Sequence, residues 1–309
     1  MAGSSSTSSA NTSLAAPDPA RGYWGFFAVA AVAVTSGLQV GRTYATGLHD
    51  DIPEPTWEAL YAWSDDWRVV RRLSDGHRNR LAVVALDGRP YVARLSRIRT
   101  LALEWEATLL DWLGRCDVGV PGLLPTRKGW GAEEGPAAFH WGGCLVMQVV
   151  DGHQPRTDDD WELVATTMRR LHHVSGGWPQ RPGSRAANDL LTYEHGDNVA
   201  VSAMPPDAVR RCREAWATVA HLPRSVVHGD PRPGNIRISE GRAVLLGWDE
   251  ARVDASVFDM VTLPRRASGL TEAQWIDALR ASYAWEAANR WTEEPTYARR
   301  QLDLLRSMT

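Results

Sequence analysis

Lysine is almost missing from this chain of 309 residues. Of its 34 basic residues only Lys128 is a lysine, so any chemistry that needs a lysine must use Lys128 or do without. Cysteine is also scarce: Cys116, Cys144 and Cys212 form no Cys-x-x-Cys pair, which excludes a disulfide scaffold and a cysteine-rich zinc site and fits a reducing compartment. The formal net charge of −3 gives no global case for binding nucleic acid or for a polybasic membrane contact.

The first 55 residues differ in composition from the rest, and we predict an N-terminal extension over 1–55. Residues 1–20 are rich in Ser, Thr, Ala and Pro and lack an apolar pattern that could pack, which predicts disorder. Residues 22–41 carry no charge, and two interpretations stay open for them: a marginal membrane span or signal-like segment, and a poorly packed extension. We expect a cytoplasmic protein, with an N-terminal membrane anchor at 22–41 as the minor alternative.

From residue 56 onwards the chain has the patterns of a folded protein. The predicted strands are 67–73, 81–86, 90–95, 144–150, 225–228, 235–239 and 243–248, and the predicted helices are 56–63, 102–113, 159–174, 208–222 and 272–291. Asp87-Gly88-Arg89 is a hairpin signal between the second and third strands. The sequence therefore predicts an α+β fold with a small β-rich lobe at 56–152 and a larger, mostly helical lobe at 153–309.

The stretch from Ser225 to Ile238 (SVVHGDPRPGNIRI) carries the clearest chemical pattern. A β-branched run ends in His228-Gly229-Asp230, a Pro/Gly loop follows, and Asn235 precedes a second strand. Phosphoryl transfer needs such a pair, because a carboxylate orients the attacking hydroxyl and takes its proton while a neutral oxygen ligand holds Mg²⁺ near the phosphates. The alternative is structural, with His-Gly-Asp as a turn and Asn235 as a cap.

With this loop the chain resembles the aminoglycoside phosphotransferase family, also called choline-kinase-like or small-molecule kinases, over about residues 56–300. The sequence LHHV at 171–174 is similar to the family's helix ending before the substrate-binding insertion. The resemblance implies a bilobal protein-kinase-like fold, ATP and Mg²⁺ as cofactors, and a small-molecule hydroxyl as the acceptor. It also implies Asp230 as the catalytic base, Asn235 as a metal ligand and His228 as a supporting residue of the catalytic loop.

Two further stretches resemble the parts of the family that surround the nucleotide. LVMQVVDG at 145–152 resembles the hinge, which implies that backbone groups from Gln148 to Val150 bind the adenine. The turn SDGHRNR stands where the family has its nucleotide-covering loop, with Ser74 and Gly76 as the candidate contacts.

The strand YVARL at 91–95 resembles the one that presents a basic side chain to the α- and β-phosphates. That residue is Arg94, since Lys128 lies far beyond the strand. Arginine binds phosphate through a fork of donors rather than as a point charge. Its predicted partner on the following helix is Glu106, with Glu104 as the fallback, and an ordinary surface ion pair is the alternative.

The strand after the catalytic loop departs from the family. The family expects Ile-Asp-Trp there, with the Asp as principal magnesium ligand, and alignment on Trp248 and Asp259 puts Gly247 at that position. Asp249 lies two residues on, on the same strand face, and is the candidate replacement after a local rearrangement. Asp259 matches the family's buried Asp, which implies that it braces the catalytic loop.

Three functional interpretations stay open. In the first, the chain is an active phosphotransferase, with Asn235 and Asp249 holding the metal or with magnesium brought in mainly by the nucleotide. In the second, it is a catalytically degenerate kinase-like protein that binds nucleotide or another ligand as an accessory factor. In the third, Gly247 is an inactivating change in an otherwise intact enzyme.

The substrate is expected between the catalytic loop and the helical insertion at 176–222. The polar groups of that insertion are Asp189, Glu194, His195, Asp197 and Asp207. Its acids would suit a cationic, aminoglycoside-like or antibiotic-like substrate, and a solvated loop is the alternative. Four tryptophans either line an apolar or sugar-stacking site or belong to the core: Trp178, Trp216, Trp285 and Trp291.

Overall fold

The computed structural model describes residues 55–75, 79–97, 100–127, 139–196 and 199–308. The predictions for residues 1–54, for Gly76 and for Asp197 lie outside these ranges. Within them, no helix is both long enough and apolar enough to cross a membrane.

The β-rich half forms one antiparallel sheet with the strand order β1-β2-β3-β5-β4. Its strands are β1 (Trp67–Asp75), β2 (Asn79–Leu86), β3 (Arg89–Ser96), β4 (His140–Trp141) and β5 (Cys144–Gln148). Asp87 and Gly88 have φ values of 48° and 77°, as the two-residue type I′ turn between β2 and β3 requires. The predicted hairpin is therefore present, with Arg89 in the strand rather than in the turn.

Different elements cover the two faces of this sheet. One face packs against a 3₁₀ helix, Trp57–Ala62, through a buried cluster that includes Leu60, Ala93 and Leu95. The other face lies against helix α1 (Thr100–Arg115). Because side chains alternate along a strand, Arg94 points to the α1 side. The 3₁₀ helix stands where an α-helix was predicted, because backbone bonds such as that from Ala59 N–H to the Thr56 carbonyl reach three residues back rather than four.

Helices dominate the second half of the chain. They are α2 (Asp158–Val174), α3 (Pro206–Ala217), α4 (Val257–Met260), α5 (Arg265–Ser268), α6 (Glu272–Asn289) and α7 (Pro295–Ser307). Thr157 and Thr271 form capping boxes at the first residues of α2 and α6. Helix α3 ends five residues short of the predicted 222, because Val219 and Leu222 donate to carbonyls three residues back and form turns.

Short antiparallel strand pairs lie among these helices. They are β6 (His195–Gly196) with β7 (Val199–Ala200), β8 (Arg224–Val227) with β11 (Arg252–Ala255), and β9 (Ile236–Ser239) with β10 (Arg242–Leu245). One buried apolar cluster joins α1, α2 and these strands around Trp105, Met168 and Trp248. A second joins α3, α6 and α7 around Trp216 and Trp285. The first cluster runs from one lobe into the other and includes Val226 and Ile236, on either side of the loop between β8 and β9.

The chain passes between the lobes against the strands β9 and β10. Gly152 has φ of 123°, and a Cβ there would clash with the Ile238 carbonyl oxygen, so the close approach requires glycine. His153 and Ile238 exchange two backbone hydrogen bonds of 2.7 and 3.2 Å. In the segment after α1, the Gly119 carbonyl accepts from Leu245 N–H of β10 at 2.9 Å. Backbone contacts therefore attach the small lobe and the passage between the lobes to β9 and β10, the strands that follow the loop at 228–235.

Candidate active site

The loop between β8 and β9 brings Asp230 and Asn235 into direct contact. Asn235 Nδ2 donates to Asp230 Oδ2 at 2.8 Å and to its carbonyl oxygen at 2.9 Å. Gly229 starts the loop with φ of 84°, where a Cβ would lie 2.5 Å from the Glu250 carbonyl oxygen. The convergence that the motif spacing predicted is therefore present, and the glycine lets the loop pass close to the segment after β10.

Asp259 holds the start of this loop from below. Its Oδ2 accepts hydrogen bonds from the backbone N–H of His228 at 2.8 Å and from His172 Nε2 at 2.9 Å, and its Oδ1 accepts from Gly229 N–H at 2.9 Å. Complete burial alone would raise the pKa of Asp259, but the hydrogen bonds from His172 and from the Gly229 N–H help to hold it below its usual value. The carboxylate is thus ionised and fixes the backbone immediately before Asp230.

His228 is a buried, neutral support of the same loop. Its Nε2 donates to the Leu246 carbonyl at 2.8 Å, and its Nδ1 accepts from Asp230 N–H at 3.3 Å. The ring packs on Trp248 with 4.8 Å between centroids. Burial lowers the pKa of His228. These contacts position Asp230 and leave no imidazole edge for proton transfer to a substrate.

Arg232 is a residue of this loop that sequence reasoning missed. Its Nε and Nη2 both donate to Asp230 Oδ2, at 2.9 and 2.5 Å, while about two thirds of its side chain stays exposed. The carboxylate of Asp230 raises the pKa of Arg232 further. The sequence offered one indication of this contact, because Arg232 stands two residues after Asp230, the predicted base.

Arg94 and Glu106 form a buried ion pair under the sheet. Arg94 Nη2 lies 2.6 Å from Glu106 Oε1, and the two residues are only 3% and 1% exposed. The alternative of an ordinary surface ion pair is therefore wrong. Burial alone would lower the pKa of Arg94, but Glu106 and Asp249 more than offset it and raise the pKa. The fallback partner, Glu104, instead lies 3.6 Å from His140 Nε2.

Gly247 lies beside Asn235, at the position where the family's acid is missing. It has left-handed φ and ψ of 72° and 65°, and a Cβ there would lie 3.0 Å from both Asn235 Oδ1 and Cγ. A side chain at 247 would therefore reach directly toward the predicted metal ligand. Glycine leaves that space without an oxygen donor.

The donor set does not fit a magnesium ion held by two protein side chains. Asp249 Oδ1 accepts from Arg94 Nη1 at 2.7 Å, so its carboxylate is already paired with a cation. Asn235 keeps its Oδ1 for a ligand, because only its Nδ2 bonds Asp230. Across the described residues there is no group of three or more His, Cys, Asp or Glu suited to a metal. The role of Asp249 as a ligand stays a prediction, and the ion pair with Arg94 opposes it.

The predicted adenine contacts lie at the end of β5. Gln148 N–H donates to the Gly122 carbonyl at 2.8 Å, so this amide is not available to a base. Val149 is 39% exposed, and Val150 follows it outside the sheet. Ser74 lies in β1, opposite Leu81 of β2. Adenine binding by the backbone at 149–150 stays a prediction, and the paired N–H of Gln148 opposes the part of it that uses this amide.

A cavity of about 170 Å³ opens next to Asp230. Its wall includes Arg232 of the loop, together with Ser282, Trp285 and Glu286 of α6. Burial raises the pKa of Glu286, and the Tyr297 hydroxyl donates to its Oε2 at 3.2 Å. Burial and this carboxylate raise the pKa of Tyr297 to about 12. An acidic group therefore faces the same cavity as the candidate base.

The acids predicted for the substrate lie elsewhere. Asp189 accepts from the Ala186 N–H and pairs with Arg224, and Asp207 pairs with Arg306 on the surface. Of the insertion's acids that the structure describes, none lines the cavity beside Asp230. Sequence reasoning missed Glu286. The pattern that could have indicated it is the helical spacing of Ser282, Trp285 and Glu286, which puts these three side chains on one face of α6.

Comparison with known proteins places these features in a family. The sequence profile of the phosphotransferase enzyme family (APH) matches residues 69–301. No protein of curated function matches the chain by sequence.

Solved structures share the fold at low identity. They include "Amicoumacin kinase hAmiN in complex with AMP-PNP, Ca2+ and Ami" (15% identity, TM-score 0.53, 81% of this chain and 90% of that chain). Aminoglycoside phosphotransferase APH(4)-Ia is 13% identical, with a TM-score of 0.54 over 81% of this chain and 96% of that chain. Choline kinase LicA from Streptococcus pneumoniae is 13% identical, with a TM-score of 0.51 over 77% of this chain and 94% of that chain. The predicted bilobal kinase-like fold is confirmed, and the chain belongs to the phosphotransferase enzyme family.

Proposed function

We propose that this chain transfers the terminal phosphoryl group of ATP to a hydroxyl of a small molecule. The observation that carries the proposal is the position of Asp230, bonded to Asn235 and Arg232 at the edge of a cavity lined by polar side chains. Asp230 would orient the acceptor hydroxyl and take its proton. Arg232 would hold positive charge beside the oxygen that loses that proton.

The small lobe, 56–152, would bind the nucleotide. Arg94 would bind the α- and β-phosphates, since Glu106 fixes one side of its guanidinium. The backbone at 149–150 would meet the adenine, and Ser74, near the end of β1, together with Gly76 would contact the phosphates. The similar structures include a kinase in complex with AMP-PNP and an aminoglycoside phosphotransferase in complex with ADP, which supports ATP as the donor.

The lobe at 153–309 would bind an acceptor that carries an amino group near its hydroxyl. Glu286 supplies a carboxylate in the cavity, and Trp285 supplies an aromatic wall. A cationic amine would pair with Glu286 and restore the ionised form that burial disfavours. Such acceptors include aminoglycoside-like antibiotics and amino alcohols, and the similar structures include a choline kinase.

Turnover of a panel of amino alcohols and aminoglycosides with Mg²⁺ and ATP tests the proposal. Asp230→Asn should lower turnover by about 100-fold or more, since it removes the proton acceptor and keeps the shape. The matched control is Asp207→Asn, which changes a surface aspartate paired with Arg306 and should leave turnover unchanged. Turnover that survives Asp230→Asn would refute the assignment of the base.

A second candidate is a nucleotide-binding accessory protein without catalysis. It is favoured by Gly247, which removes an acid beside Asn235, and by the ion pair that engages Asp249 with Arg94. ATP binding measured by calorimetry without turnover of any acceptor would support it. Absence of ATP binding would refute both candidates.

A further inference from the structure

Arg181 is a buried arginine in the segment that follows α2. The residue is 4% exposed, although arginine rarely loses its contact with water. Trp105 Nε1 donates to the Pro179 carbonyl at 2.8 Å, which fixes the segment to α1. The Gln180 amide donates to and accepts from the Val253 backbone at 2.9 Å in each direction, which fixes it to β11. The backbone before Arg181 is thus attached to both lobes.

The Arg181 guanidinium binds the turn that follows Gly247. Its Nη1 lies 3.3, 2.7 and 3.2 Å from the carbonyl oxygens of Trp248, Asp249 and Ala251. Three carbonyl oxygens around one guanidinium NH₂ group stabilise the conformation of this turn, because no water can replace a buried donor.

The other arm of the guanidinium reaches the nucleotide side of the site. Arg181 Nη2 donates to Glu106 Oε2 at 3.1 Å, while Arg94 lies against Oε1 of the same carboxylate. Arg94 also binds the Asp249 side chain, and Arg181 binds the Asp249 carbonyl. The four residues Asp249, Arg94, Glu106 and Arg181 form a closed ring of contacts between the lobes.

We infer that Arg181 is a positioning residue that couples the turn at 247–251, beside Asn235, to the candidate phosphate-binding pair of Arg94 and Glu106. The ring has two arginines for two acids, so Glu106 would stay paired with Arg94 after removal of Arg181. The turn, however, loses its buried donor and its attachment to Glu106. The coupling to nucleotide rests on the proposed function, but the positioning of the turn does not.

Hydrogen exchange of the peptide 246–252 without nucleotide tests the positioning. Arg181→Met should speed exchange there by about tenfold, since a charged hydrogen-bond donor is lost, and leave α6 unchanged. Arg181→Lys keeps the charge without the second arm and should give an intermediate rate. The matched control, Arg185→Met, removes an arginine of the same segment that stacks on Tyr193, and should leave the peptide unchanged.

Unchanged exchange at 246–252 in Arg181→Met would overturn the inference. If that variant exchanges faster throughout the chain, Arg181→Lys decides: a local increase at 246–252 supports the inference, and a global increase or none overturns it.

Exchange with saturating ATP then tests the coupling. ATP should slow exchange at 246–252 in the wild type by about tenfold and by much less in Arg181→Met, while Arg185→Met follows the wild type. Equal slowing in all three proteins would overturn the coupling. If the wild type binds no ATP in calorimetry, the proposed function fails, and the exchange rates without nucleotide still decide the role of Arg181.

Discussion

Gly247→Asp should create the acidic metal ligand that this chain lacks. The backbone at 247 is left-handed, a conformation that aspartate adopts at a cost of about 1–2 kcal/mol. The new Cβ would lie 3.0 Å from Asn235 Oδ1 and Cγ and 3.3 Å from Nδ2, so the amide must yield by a few tenths of an ångström. The variant should therefore fold with a modest loss of stability.

The carboxylate of Gly247→Asp would stand next to the Asn235 oxygen and form a pair of hard oxygen ligands. We expect ATP affinity in the presence of Mg²⁺ to rise by about tenfold, or about 1.4 kcal/mol, with no gain when EDTA removes the metal. Calorimetric titration of ATP with Mg²⁺ and with EDTA measures both values.

Gly247→Asn is the matched control for this prediction. It has the same backbone strain and nearly the same size, but no negative charge. If the ATP affinity of Gly247→Asp and that of Gly247→Asn depend equally on Mg²⁺, the placement of a metal between position 247 and Asn235 is refuted. A gain that Gly247→Asp alone shows would support it.

Three further variants test the supports of the site. Asp259→Asn should lower the free energy of unfolding at pH 7 by about 3–5 kcal/mol in urea titrations. Because the pKa of Asp259 is depressed in the folded state, this difference between wild type and variant should shrink as the pH falls below about 4. Glu286→Gln should raise the melting temperature at pH 7 and weaken the binding of amine-bearing acceptors. Because the pKa of Glu286 is raised in the folded state, the wild type loses stability as the pH rises. The melting temperatures of the two proteins should therefore converge below about pH 4. Gly152→Ala should destabilise the protein by about 2–3 kcal/mol more than Gly177→Ala. The Cβ at 152 would clash with the Ile238 carbonyl, while the Cβ at 177 would enter open space. Equal losses of stability in thermal unfolding of the two variants would refute the clash.

Local patterns were sufficient for much of the fold and of the catalytic loop. The spacing of Asp230 and Asn235 within one short loop leaves few geometries, and the structure joins their side chains directly. Strand alternation likewise places Arg94 toward α1, where Glu106 rather than Glu104 faces it. In each case the partners are close in sequence or belong to regular elements with a fixed period.

The remaining features depend on contacts between distant segments. Glu286 reaches the cavity beside Asp230 from α6, and Arg181 meets Asp249 from a segment without regular structure. No periodic pattern in the sequence relates residues this far apart. The sequence therefore assigns the substrate to the acids of the insertion at 176–222, which is closer along the chain to the loop of Asp230. The structure pairs Asp189 with Arg224 and so gives it a structural partner instead.

The two backbone attachments between the lobes have a mechanical consequence. His153 is bonded to Ile238 in both directions, and Gly119 is bonded to Leu245. A rotation of the sheet about the line through these two attachments would leave both of them in place. Such a rotation would act on the contacts that also join the sheet to the helical lobe, among them the ion pair of Arg94 with Asp249.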